Sequence, residues 1–121
     1  MDYPDALKLY DEALQKYQSK IDSRNLLDNL RLSLEKLLQA MFDNKKSLEN
    51  QMKNLENFII NERQCPRELS NMFMTLLDYY SKYQNSHVKH DDAVVEKEVE
   101  FVFEITCCFM RFLVKLSLEK S

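Results

Sequence analysis

The chain has 121 residues, 45% hydrophobic and 31% charged, with a formal net charge of −3. That length supports one domain with a single core, the balance is neither that of a disordered chain nor that of a membrane protein, and slight acidity argues against a general nucleic-acid coat while allowing a local basic patch. Glycine is absent, which excludes glycine-rich phosphate loops of the Walker and Rossmann types and disfavours tight hairpins, whose turns need positive φ.

Only Pro4 and Pro66 interrupt an otherwise proline-free chain, so long stretches are free to be helical. Pro4 suits the first turn of a helix, with Asp5 near its positive end. Ala6, Tyr10, Ala13, Leu14, Tyr17 and Ile21 then follow at helical spacing. Asp22 and Ser23 offer a break and a fresh N-cap. The second helix carries Leu26, Leu27, Leu30, Leu34, Leu37, Leu38 and Met41, and is expected to end near Asp43 and Asn44. Ser47 is a cap for a third helix with Leu48, Met52, Leu55 and Ile59 on its face. Cys65 before Pro66 marks the next break, and a fourth helix follows with Leu69, Phe73, Leu76, Tyr80 and Tyr83.

Residues 85–92 are the most polar stretch near the C-terminal end, and Asp91 or Asp92 can cap the last helix, expected to run to about Leu118. That helix is long and very apolar, while Glu100, Glu104, Arg111 and Lys115 fall on one narrow stripe by the 100° rule. Charges in its middle argue against a membrane span. So wide an apolar surface needs more than one neighbour. Either the helix is central in the bundle, or part of it forms a homodimer seam, for which Phe101, Cys108 and Phe112 are the candidates. Residues 1–5 show no secretory signal. Cys65, Cys107 and Cys108 are expected to be reduced core thiols, so a cytoplasmic location is expected, with no cofactor and no metal.

The expected fold class is all-α, an up-down bundle of about five helices in one domain spanning residues 1–121. In that topology the second and fourth connections share one end of the bundle. Lys45 and Lys46 would then meet Lys82, His87, Lys89 and His90, and a rival basic group, Lys20, Arg24, Arg63 and Arg67, would gather at the other end. Both histidines of the chain, His87 and His90, lie just before a helix N-terminus. An imidazole there suits acid–base chemistry near neutrality, and a helix start can hold a phosphate. A solvated loop that merely caps the helix explains the same residues. His87, His90, Asp91 and Asp92 are metal-ligand types, but without the closed spacing of a structural zinc site.

Gln84, Asn85, Ser86, His87, Val88, Lys89 and His90, placed before the final helix of a small bundle, resemble the motif of the HEPN superfamily. Its members occur in abortive-infection, toxin–antitoxin and other prokaryotic defence systems. Asn85 matches the motif's polar residue and His90 its histidine. Arg31 and Glu35, one turn apart on the second helix, are compatible with the family. In catalytic members the resemblance implies metal-independent RNA cleavage across a homodimer, with the histidine assisting 2′-hydroxyl attack. It makes His90 and Asn85 candidate catalytic residues, and Lys82, Gln84, His87, Lys89, Lys45 and Lys46 candidate RNA contacts. The arginine of the motif is replaced by Gln84, which supplies no permanent cation; Lys82 or Lys89 would offer only a point charge. Three readings stand: an RNA-binding or weakly cleaving defence or toxin-related homodimer, a non-catalytic helical interaction and dimerisation module, or an accessory domain partnering a nucleotidyltransferase.

Overall fold

The computed structural model describes the backbone of residues 3–19, 23–86 and 92–119; the side chains of residues 13, 14, 16–19, 23–25, 83–86 and 92–97 lie outside the description. The fold is all-α. Its helices are α1 (Pro4–Ser19), α2 (Ser23–Phe42), α3 (Met52–Asn57), α4 (Arg67–Ser86) and α5 (Asp92–Ser117). A 3₁₀ turn, Leu48–Gln51, leads into α3 and a π turn, Phe58–Glu62, leads out of it. There is no strand among the described residues, and no described helix is long and apolar enough to cross a membrane.

The breaks are made without glycine. Asp43 takes φ 52° after α2, and the Asn44 N–H reaches back to the Gln39 carbonyl at 3.1 Å, the Schellman arrangement that usually relies on glycine. Gln64 repeats the manoeuvre at φ 55°, with the Cys65 N–H on the Ile59 carbonyl at 2.9 Å. Pro66 then opens α4, which begins at Arg67.

The central helix is α2, not the C-terminal one. Leu26, Leu27, Leu30, Leu34, Leu37 and Leu38 are all almost completely buried, between α1, α5 and the segment that follows α2. Helix α5 packs on three neighbours, with Tyr10 of α1 stacked on Phe103 at 6.4 Å, Phe73 of α4 against Phe109 at 4.3 Å, and Met110 against Ser33 of α2. Its fourth side carries Glu100, Glu104, Arg111 and Lys115 into solvent, so α5 is not apolar all round.

Two buried hydroxyl hydrogen bonds tie the helices at fixed heights. Ser33 Oγ, fully buried, donates to the Ala6 carbonyl at 2.6 Å and locks α1 to α2. Tyr80 and Thr106, both fully buried, share a 2.7 Å hydrogen bond between α4 and α5. Burial is the main reason that the Tyr80 phenol titrates far above its ordinary 10.0.

The end-to-end arrangement departs from a simple up-down bundle. Tyr3 donates to Ser117 Oγ at 3.2 Å, which brings the start of α1 to the end of α5. The segment 44–63 begins at that same end, where Gln39 binds the Lys46 carbonyl and Phe42 meets Phe58. It also finishes there, with Arg63 Nε on the Leu116 carbonyl at 2.8 Å. The third helix, expected to cross the bundle, instead folds over one end.

The Tyr80–Thr106 tie is testable. Removing the Tyr80 hydroxyl leaves Thr106 buried without its partner, so Tyr80→Phe costs about 1–3 kcal/mol, whereas Tyr80→Phe with Thr106→Val costs less than the two single changes added together. Urea titration reads this, and additive losses would contradict it. Because the folded pKa of Tyr80 is raised, its contribution is fully present below pH 10.0 and declines as pH rises past the point where the unfolded chain ionises. Wild-type stability therefore falls more steeply above pH 10 than that of Tyr80→Phe.

Candidate functional site

Helix α4 runs through Ser86, so Gln84 and Asn85 have their backbone in its last turn rather than in a loop; no glycine or proline between α4 and α5 stops the helix earlier. Their side chains lie outside the described residues, as do His87, Lys89 and His90 altogether. Lys82 is exposed and pairs with Asp78 one turn earlier at 3.0 Å. Tyr79 donates to Glu98 at 2.9 Å, which fixes this part of α4 beside the first half of α5.

Lys45 and Lys46 are not brought to that place. Both are exposed in the connection after α2, and Lys45 borders a shallow depression with Tyr3, Asp5 and Gln39 at the opposite end of the bundle. The cause is the short segment 44–63, which returns to its own end instead of crossing. The rival basic group is divided for the same reason. Arg63 sits over the Phe58 ring at 4.9 Å, and Arg67 pairs with Glu56 at 3.3 Å, at the end where Lys45 and Lys46 lie. Lys20 and the Arg24 side chain are outside the described residues.

Arg31 and Glu35 form an ion pair at 3.4 Å, each side chain 15% exposed. Glu35 Oε2 also accepts the Leu48 N–H at 2.9 Å. The carboxylate thereby caps the 3₁₀ turn from a distance in sequence, supplying the acceptor that Ser47, expected as the cap, does not. This pair braces the fold, tying α2 to the start of the 3₁₀ turn.

Two surfaces remain. The first is a groove of about 510 Å³ between the first turns of α1 and the second half of α5, walled by Pro4, Leu7, Leu37, Met110 and Val114, with Tyr10, Cys107 and Arg111 among its lining. Tyr10 and Cys107 are hydrogen-bonded to each other, and burial pushes both the phenol and the thiol above their ordinary values. Both are therefore protonated at neutral pH, so the groove offers an apolar shape and one guanidinium rather than a nucleophile. Sequence periodicity marked Tyr10 as core and gave no sign of its pairing with Cys107.

The second surface is the outer edge of α5. Phe101 is 65% exposed. Cys108 is exposed as well, and Cys65 and Cys107 are only half-buried, so the thiols are not the uniformly buried set that composition suggests. Phe112 is half-buried, stacked on Phe73 at 6.2 Å, and Ile105 lies beside it in the same half-buried class. Met72 is exposed on α4, one residue before Phe73.

Thiol chemistry separates the two surfaces. With iodoacetamide at pH 7.5, on protein dilute enough to be a single copy, Cys108 is alkylated first and Cys107 lags, because Cys107 is half-buried and its raised pKa withholds thiolate. Equal rates in Cys107→Ser and Cys108→Ser variants would contradict this placement. Compared with family models, with curated proteins and with solved structures, the chain matches none.

Proposed function

We propose that this chain is a non-catalytic helical interaction module that works as a homodimer through the outer edge of α5. The observation that carries this reading is an aromatic ring, Phe101, held 65% exposed on a regular helix beside exposed Cys108 and half-buried Ile105 and Phe112. A contiguous apolar strip of this kind is a common mark of a protein–protein contact, and aromatic rings such as those at its two ends are enriched in such contacts. Gln84, standing where the family motif has arginine, supports the absence of catalysis.

A second reading rests on a separate observation. Gln84 and Asn85 close α4 directly ahead of α5, the position that the HEPN-like motif takes before the final helix. On that reading the module binds or weakly cleaves RNA in the cytoplasm, in a defence or toxin–antitoxin setting. His90 and Asn85 act on the substrate, and Lys82, His87 and Lys89 hold the phosphates. Lys45 and Lys46, at the far end, belong to no such patch.

The two readings are separated by two measurements. Light scattering of the wild-type chain at 100 μM gives a mass near twice 14.5 kDa, and Phe101→Asp returns it to one chain with unchanged helical circular dichroism. A wild-type monomer would contradict the dimer. Titration with fluorescent single-stranded RNA gives no binding below the millimolar range if the first reading holds. Binding that His90→Ala weakens by more than tenfold would establish the second in its place.

A further inference from the structure

The outer edge of α5 carries a pattern more specific than exposed apolar area. Phe101, Ile105, Cys108 and Phe112 recur at steps of four, three and four residues, the seam spacing of a two-stranded coiled coil. On one flank of this seam, Val102 and Phe109 are buried in the bundle. The other flank is fully in solvent and holds Glu100 and Glu104 in its first half, Arg111 and Lys115 in its second.

Within a single chain no described carboxylate meets the two cations of this flank; Arg111 reaches only the Cys108 thiol, at 4.0 Å, and the rim of the α1–α5 groove. None of the four charges enters an ion pair among the described residues. Glu100 and Glu104, and likewise Arg111 and Lys115, are like-charged neighbours one turn apart, a repulsive spacing. Glu104 and Arg111 are seven residues and so about 10.5 Å apart along the axis, too far to bond each other. The helix dipole accounts for Lys115 in the last turn, but its influence fades within one turn of each end, and Glu104 and Arg111 lie deeper.

A second copy resolves the pattern in one orientation. In a two-fold antiparallel pair the same flank of each helix faces its counterpart, running the opposite way. With the axis between Thr106 and Cys107, Phe101 meets Phe112 of the second copy and Ile105 meets its Cys108. Glu104 then lies about 3 Å along the axis from the level of Arg111 of the second copy, within reach of its side chain on the same flank, and the symmetry makes the reciprocal pair. Glu100 and Lys115 stand in the same relation further out. A parallel pair would instead bring acid to acid and base to base. We propose that the outer edge of α5 binds a second copy of this chain in that antiparallel register, with Phe101, Ile105, Cys108 and Phe112 as its seam and the two Glu104–Arg111 ion pairs fixing its direction.

This rests on the dimer reading above and specifies its geometry. The test uses the full chain in three forms, Glu104→Arg, Arg111→Glu and the two combined, each checked for helicity by circular dichroism. Each single variant sets two like-charge contacts across the seam, weakening self-association by about tenfold. The combined variant exchanges the signs and recovers wild-type affinity. Mixing the two single variants gives a heterodimer in native mass spectrometry, in excess over either homodimer. A wild-type dimer indifferent to all three changes, with statistical mixing, would overturn the register while leaving a dimer in place. A monomeric wild type would overturn both.

Discussion

Everything in this fold is arranged around keeping the leucines of α2 out of water. Leu27, Leu30 and Leu38 have no measurable exposure, and burying a leucine side chain is worth roughly 1.5–3 kcal/mol. No single neighbour covers so wide a stripe. Helix α1 takes one side, α5 another, and the segment 44–63 closes over the end where α2 stops. Helix α5 is committed by this demand, and by Phe73 of α4, to show three of its sides inward. Only one edge is left over, and that edge carries Phe101 and Cys108 with a row of charges beside them.

Hydrophobic packing alone does not set how the helices slide along one another. The buried hydroxyls do. Ser33 places the first turn of α1 against the middle of α2 by binding the Ala6 carbonyl, and Tyr80 fixes α4 against the centre of α5 through Thr106. Such bonds contribute little net stability when made and cost more when half-broken, which is how a leucine-rich core acquires one register. The Glu35 carboxylate has the same role at the bundle end, holding Arg31 and the start of the 3₁₀ turn together.

Much of this was legible from residues alone. Apolar spacing located α1, α2, α4 and α5, and Pro4, Ser23 and Pro66 marked their starts, because these are local choices of backbone and stripe. The third helix was not legible. Leu48, Met52, Leu55 and Ile59 have helical spacing, yet the chain there is a 3₁₀ turn, a short helix and a π turn. Its bends depend on partners far away in sequence, the Glu35 carboxylate and the Leu116 carbonyl. One misjudged crossing then reversed the end on which Lys45 and Lys46 lie. The unusual left-handed residues Asp43 and Gln64 gave no composition signal either, since glycine was the expected choice. At the edge of α5, the sequence placed Phe101, Cys108 and Phe112 beside the charged stripe, but the exposure of Phe101 and the packing of Phe112 on Phe73 are tertiary facts.

The most direct test of the account measures the geometry of the α5 edge itself. Spin labels are placed at Cys108 in a Cys65→Ser, Cys107→Ser background, and separately at Lys115→Cys and at Glu100→Cys with Cys108→Ser added, and the distances between labels are read by pulsed dipolar spectroscopy. The account predicts the shortest separation at position 108, lengthening toward either end of the helix, as two antiparallel rods crossing at their middles require. Equal separations at all three positions, or no dipolar coupling at all, would contradict it.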